Sequence, residues 1–540
     1  MALAFYVAVS VWITWPLTPR FSTGLSDSPD SLLNAWALGW SYHALATAPL
    51  SLFDANIFAP RPDTLAYSEH MFAITALAAP VYAATNSLVS AYNAAFFASF
   101  VLSGLGMFLL TRELTRNDWA ALAAGTIFLA APYRFQHVLQ LQLLNYQWFP
   151  FVFWSLLRYL KRGRGRDLVG VMLFSLLQIL SCNYYAVYLA VAVGVFAIVV
   201  LTREPKLFAF SRFWKLVVGA VAVAVVALPF ILPYSRNRDR GFYRRYDDVV
   251  QYSASPSMYL SRSAFNDAPH WGVLPRSRLA LFPGFVAPVL ALIGLSVRPP
   301  RWRTFWIFAI AIGGLAVVLS FGPQTSVGDR LIPLPYRLFQ LYFPGFSGMR
   351  VPARFASLVV MALAVLAAGG ATALLRRIRN RRHEALAGVA LTGALLFDYQ
   401  TSSLDRVFPD ASTIPAAHRW LADAEGPGAV LVLPIHESEA IIEESTYMYY
   451  STAHFKPLVN GYSGWWPNDY WEVVGRLRHF PTHRILRFLL ERAPVRYVVI
   501  HYDRMPGPKR RQLEAAMERY RDRIPLLFRS GDDAVYEILE

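Results

Sequence analysis

The sequence predicts a polytopic α-helical membrane protein of about eleven transmembrane helices, followed by a small α/β domain outside the membrane. Three observations predict it. Long apolar stretches recur from Met1 to Tyr399. Only 16% of the 540 residues are charged and 55% are hydrophobic, with a mean hydropathy of +0.35. Soluble proteins carry about 25% charged residues, so most of this chain is solvated by lipid. After Tyr399 the composition turns charged and mixed, which divides the chain into 1–403, transmembrane, and 404–540, soluble.

Apolar windows place helices over 1–17, 92–110, 119–133, 143–160, 168–182, 184–201, 216–234, 279–297, 305–321, 356–375 and 385–399. The first lacks a charged leader, and Leu17-Thr18-Pro19-Arg20 is no small-residue cleavage site, so it reads as a retained helix. Residues 168–201 would make about 51 Å of helix against a core of ~30 Å. Ser181-Cys182-Asn183-Tyr184-Tyr185 therefore reads as a tight turn between two spans, with the tyrosines in an interfacial aromatic belt. Met71–Ser90 contains Pro80 and reads as a re-entrant or juxtamembrane helix.

Four short runs rich in Lys and Arg fix the sides: 161–166, 203–215, 298–303 and 376–382. By the positive-inside rule they are cytoplasmic, which puts the first loop, 18–91, and the tail after Tyr399 outside a cytoplasmic (inner) membrane. The outside loop 235–278 nevertheless carries Arg236, Arg238, Arg240, Arg244, Arg245, Arg262, Arg276 and Arg278, so those arginines need a local reason. In the tail, Ala429–Leu433 and Tyr497–Ile500 read as strands, 467–479, 483–492 and 507–521 as amphipathic helices, and Gly531-Asp532-Asp533 as a hairpin turn.

The formal charge of +16 marks membrane-facing loops rather than nucleic-acid contact, since no nucleic-acid motif is present. The single cysteine, Cys182, excludes an intramolecular disulfide and a cysteine-based zinc site.

The strongest chemical signal is Asp27 and Asp30, in Ser26-Asp27-Ser28-Pro29-Asp30, just past the first helix. Carboxylates are costly at a membrane surface and mark chemistry there; the plainer reading is that they cap the helix beginning near Ser31. The loop they open is about 74 residues long and holds an amphipathic stretch, Leu32–Leu45, then Asp54, Pro60-Arg61-Pro62-Asp63 and Ser68-Glu69-His70. Glu69 and His70 are either part of a metal or acid/base set or a solvated loop pair. His137, in Tyr133-Arg134-Phe135-Gln136-His137, is either a substrate contact or an interface residue. Glu437, Glu439, Glu443 and Glu444 read as a solvated face, and Trp465-Trp466-Pro467 as packing or a sugar-stacking surface.

This arrangement resembles the GT-C superfamily of integral-membrane glycosyltransferases, which use polyprenyl-phosphate sugars. The matching features are the N-terminal helix, the external loop opening on Asp27 and Asp30, its juxtamembrane helices, the many short-looped spans and the external α/β domain. The second loop lacks the paired acidic residues of oligosaccharyltransferases. The resemblance implies a lipid-linked sugar donor, a glycan, lipid or protein acceptor, and membrane lipids as partners. It leaves the cofactor unknown, a divalent cation included. It also implies roles. Asp27 deprotonates the acceptor hydroxyl, and Asp30 orients the acceptor or binds a metal. Arg244, Arg245, Arg350 and Arg354 hold the phosphate leaving group, the first two in one cavity with Asp27. The rival class is a transporter or flippase of a lipid-linked glycan; the near absence of ionisable residues in 216–234, 279–297 and 305–321 weighs against it.

The topology is directly testable. A reporter fused after Tyr399 should report outside, and one inserted at Gly163 should report the cytoplasm. If both report one side, the span count is wrong, first at 71–90.

Overall fold

The computed structural model describes residues 1–25, 29–266, 268–297, 302–327, 330–401 and 414–539. Among them, five helical segments are long and apolar enough to cross a membrane: Leu88–Thr115, Asn183–Arg203, Phe210–Asp239, Arg303–Ser320 and Pro352–Leu375. Ala2–Ile13, Phe72–Thr85 and Val286–Ser296 are apolar but shorter. The expected turn at 181–185 is a break at Cys182, whose extended backbone (φ −161°) separates helices Gly165–Ser181 and Asn183–Arg203. The 71–90 segment divides at Asn86, which ends Phe72–Thr85 in a left-handed conformation. The helix expected over 279–297 begins late, at Val286. Pro283 and Gly284, the latter at φ +95°, keep the preceding residues out of it.

The chain forms two compact units, and their boundaries cut across chain order. The first comprises Met1–Pro19, Asn93–Phe230 and Tyr243–Arg406. Its helix Ala356–Leu375 packs against Val286–Ser296, Arg303–Ser320 and Asp118–Ala130. Small residues permit this approach: a Cβ on Gly370 would lie 1.9 Å from the Leu290 carbonyl oxygen, and one on Gly294 2.2 Å from that of Leu366. Asp398 closes the near end, accepting 2.8 Å hydrogen bonds from the Phe285 and Val286 N–H groups.

The second unit comprises Arg20–Tyr92, Ile231–Phe242 and Val407–Glu540. Its centre is a four-stranded sheet. With β1 (Gln324–Val327) and β2 (Arg330–Pro333) forming a hairpin in the first unit, the sheet strands are β3 (Ala429–Leu433), β4 (Val495–His501), β5 (Leu526–Ser530) and β6 (Asp533–Glu537). The order is β3-β4-β6-β5, with β3 parallel to β4 and the other pairs antiparallel. Burial of all five β3 residues explains its unbroken apolar run. Gly531, at φ +62°, turns the β5–β6 hairpin.

The loop after the first helix is built into this unit. Helix Pro29–Thr47 buries Leu33, Trp36, Ala37 and Trp40 and packs on helix Glu444–Tyr450. Residues 56–59 pair their backbone with 458–460 through Leu458 N–H to Asn56 (2.9 Å), Phe58 N–H to Asn460 (3.1 Å) and Ala59 N–H to Leu458 (2.8 Å). Asn56 also accepts from the Trp36 indole at 2.9 Å and donates to Ser451 Oγ at 3.1 Å. The expected solvated acidic face is corrected at Glu444, which is fully buried. It accepts hydrogen bonds from the His436 backbone (2.9 Å) and from Asn460 (2.7 Å), while burial pushes its carboxyl up.

Three imidazoles run through the unit in a line. The Lys456 N–H donates to His454 Nδ1 (3.0 Å); His454 Nε2 lies 3.4 Å from His418 Nδ1; His418 Nε2 lies 3.2 Å from His501 Nε2; and His501 Nδ1 lies 2.6 Å from Asp533 Oδ1. Consecutive ring planes agree within 9° and 15°, so each N–H can point straight at the next nitrogen. Because Lys456 can only donate, one tautomer pattern satisfies the whole chain with every ring neutral: each Nε2–H of His454 and His418 donates onward, and His501 Nδ1–H donates to Asp533. Burial, then its histidine neighbours, holds His418 well below the ordinary histidine range; burial, then Lys456, pushes His454 down to about 3.

His418 and His454 stay neutral in the folded state and take up protons near 6.5 only when unfolded. Their contribution is therefore complete above pH 6.5 and is lost as pH falls below it, by about 1.4 kcal/mol per pH unit for each ring. The detergent-solubilised chain should unfold at a lower temperature at pH 5 than at pH 7.5, and His454→Gln should reduce that difference. An unfolding temperature unchanged or rising toward pH 5 would contradict the neutral chain.

Candidate functional site

Asp27 lies outside the described residues. Asp30 sits in the first turn of helix Pro29–Thr47, where a carboxylate is favoured by the helix dipole, and accepts a hydrogen bond from the Tyr462 hydroxyl at 3.3 Å. Asp30 belongs to the second unit.

The rest of the first loop is fastened to the end of helix Phe210–Asp239. Asp63, buried and left-handed at φ +58°, pairs with Arg236 and, at 3.0 Å, with Arg240 Nη1. Burial works against its charge, but these guanidinium groups hold its carboxyl below the usual range. Two of the arginines that conflicted with the positive-inside rule are thereby accounted for. His70 is enclosed by Phe53, Phe72 and Tyr234, with Nδ1 2.9 Å from the Tyr234 hydroxyl. That hydroxyl donates to the Ser68 carbonyl (2.9 Å), so it accepts from both the His70 N–H and Nδ1–H. Burial pushes His70 down to about 3, a neutral packed ring rather than a solvated one. Glu69 beside it is half-buried.

In the first unit, three of the arginines singled out from sequence come together. The segment Arg350–Arg354 is pinned by three tyrosine hydroxyls: Tyr184 accepts from the Arg350 N–H (3.1 Å), Tyr188 donates to the Val351 carbonyl (3.4 Å), and Tyr133 donates to that of Arg354 (3.2 Å). The Arg354 guanidinium lies over the Tyr184 ring at 4.6 Å and that of Arg350 over Tyr252 at 4.9 Å. Arg244 joins them. Burial lowers it to about 10; the charges of Arg350 and Arg354 add to that effect, while Tyr184 and Asp248 oppose it. His137 completes the group. Burial, then the charge of Arg354, pushes it down to about 3, and its Nδ1 lies 3.4 Å from Gln140 Oε1. Among the described residues no carboxylate comes within ion-pair distance of Arg350 or Arg354, and Arg354 Nε is buried without a hydrogen-bond partner. Two guanidinium groups held on aromatic faces, with Arg244 beside them and no carboxylate against those two among the described residues, have the chemistry to hold an anion.

No protein-family model matches the chain, and no curated protein matches it. Solved structures do. An arabinofuranosyltransferase, AftD, from Mycobacteria superposes with a TM-score of 0.62 at 15% identity over 100% of this chain. This chain spans 40% of AftD's length. An oligosaccharyltransferase from Archaeoglobus fulgidus gives 0.54 at 12% identity, covering 93% of this chain and 69% of its own. ArnT from Cupriavidus metallidurans, solved bound to undecaprenyl phosphate, gives 0.51 at 14% identity over 99% and 97% of the two chains. The chain shares the fold of these three structures.

Arg245 stands apart from the other site arginines. It is exposed, 3.9 Å from Asp247. Arg134 is fully buried, hydrogen-bonded to Ser99, Ser103 and the Leu144 carbonyl and faced by Phe100 and Tyr146. A group able to share a cation is His501, Asp503 and Asp533, in the second unit. Tyr133, Tyr184, Tyr188 and Tyr252 escaped sequence reasoning. A tyrosine beside an apolar run signals an interface whether or not an arginine lies across from it.

Proposed function

We propose that this protein is a membrane glycosyltransferase that moves a sugar from a polyprenyl-phosphate donor to an acceptor hydroxyl on the outer face of the inner membrane. The observation that carries the reading is the Arg244–Arg350–Arg354 cluster, with Arg354 Nε buried and unpartnered among the described residues. A lipid phosphate supplies the missing anion. The GT-C fold supports it, as does the undecaprenyl phosphate bound to ArnT.

In the proposed reaction the acceptor oxygen attacks the anomeric carbon as the bond from that carbon to the phosphate oxygen breaks. Asp27 takes the acceptor proton and Asp30 orients the acceptor. The arginines stabilise the charge developing on the departing phosphate, with His137 beside them. A single displacement of this kind inverts the anomeric centre. The acceptor class is a glycan, lipid or protein. The topology proposed is eleven spans within 1–403, with 404–540 extracytoplasmic.

The base is the most exposed part of the proposal. Asp27→Asn keeps the shape and most of the capping capacity but cannot take a proton. It should insert and fold normally yet lose transfer by ~10²-fold or more. If Asp27 only caps a helix, Asn should be nearly silent and Ala should destabilise by about 1 kcal/mol. Near-wild-type transfer by Asp27→Asn overturns the assignment.

A further inference from the structure

The second unit contains a cleft of about 270 Å³ that the proposed transfer chemistry does not use. It is lined by Arg61 and Tyr67 from the first loop, Arg240 and Phe242 from the 231–242 segment, and Asn468 and Asp469 from the C-terminal region. That volume lies below the ~300 Å³ lower range of drug-sized pockets, so its ligand has the size of one sugar ring with a substituent.

One wall is aromatic and fixed. The Phe242 ring stacks on Trp465 (centroids 5.6 Å apart, 21° between planes) and meets Tyr67 edge-on at 4.8 Å. The rest is polar and electropositive. Asp63 is shared by Arg236 and Arg240, and Asp469 by Arg61 and Arg492, the last at 2.6 Å. Four guanidinium groups thus meet two carboxylates.

The two arginines that line the cleft are each the dispensable partner of their aspartate. If Arg240 turns away, Asp63 keeps Arg236; if Arg61 turns away, Asp469 keeps Arg492. Both are about two-fifths exposed (41% and 43%), and each uses a single terminal nitrogen in its contacts among the described residues, leaving the remaining N–H donors for a ligand. Asp469 lines the cleft, and its carboxylate keeps one oxygen, Oδ1, without a hydrogen-bond partner among the described residues.

We infer that this cleft binds an acidic saccharide. The C–H face of the ring lies on Phe242, a carboxylate or phosphate substituent is held by Arg61 and Arg240, and a ring hydroxyl donates to Asp469. The cleft is too small for a nucleotide with its base, and a free phosphate would leave the aromatic wall and Asp469 unused.

Calorimetric titration of the full-length chain in detergent tests this with four probes: glucose 6-phosphate, glucuronate, glucose and inorganic phosphate. At least one acidic sugar should bind saturably, ten-fold or more tightly than both glucose and phosphate; the two acidic sugars distinguish phosphate from carboxylate recognition. Arg61→Gln and Arg240→Gln should each weaken that binding ten-fold or more with an unfolding temperature near wild type, since each aspartate keeps its second arginine. Phe242→Ala should weaken it too. Absence of acidic-sugar binding, inorganic phosphate binding as tightly as the sugar phosphate, or affinity unchanged in both arginine variants would overturn the inference. The titration involves no lipid donor, and Arg354→Ala, in the other unit, should leave it unchanged, so failure of this site and failure of the transferase reading are separable.

Discussion

A guanidinium group cannot be left alone in an apolar scaffold. Removing it from water costs several kcal/mol unless hydrogen bonds or an opposite charge replace the lost hydration. The chain meets that constraint in three ways. Arg134 is met by two hydroxyls, a carbonyl and two ring faces, which hold its two terminal nitrogens, while its Nε has no hydrogen-bond partner among the described residues. Arg236 and Arg240 share the one carboxylate of Asp63 and keep part of each side chain in water. Arg350 and Arg354, both half-buried, face tyrosine rings and no carboxylate among the described residues, and in the proposed reading a lipid phosphate completes their compensation. Incomplete compensation is what distinguishes a binding site from a structural ion pair, and it is why the third set carries the functional reading.

The second unit answers a different constraint. A long loop that leaves an apolar helix has to satisfy its own backbone groups. Here 56–59 borrow partners from 458–460, and Pro29–Thr47 buries its tryptophans on Glu444–Tyr450. Fastening by Asp63 and by the Tyr234 hydroxyl then ties the loop to the end of a long apolar helix. Loop, helix end and C-terminal sheet belong to one compact unit, and changes at Asp63 or Asn56 are expected to disturb all three.

Sequence reading succeeded where the signal is local. The Cys182 break, the unbroken β3 run and the Gly531 turn each depend on a few consecutive residues, and each is in the structure; of the eleven apolar windows, five fall on helical segments long and apolar enough to cross a membrane among the described residues. It also selected Arg244, Arg350, Arg354 and His137, because arginines in an apolar chain are costly wherever they sit. It failed where the deciding partner is distant in sequence. Glu444 looks like part of a solvated acidic run, yet its ligands are His436 and Asn460. Tyr184 looks like an interfacial residue, yet its ring carries Arg354, 170 positions away in sequence. Asp63 carries no local mark of its two arginines, and the histidine chain joins four segments that share no motif.

The central claim is that the Arg244–Arg350–Arg354 cluster awaits a lipid phosphate. The most direct measurement is binding of undecaprenyl phosphate to the purified chain in detergent, compared with Arg350→Ala, Arg354→Ala and the surface control Arg238→Ala. The claim predicts saturable binding by the wild type and by Arg238→Ala, weakened ten-fold or more by each cluster substitution. Equal binding by all four proteins, or none by the wild type, would contradict it.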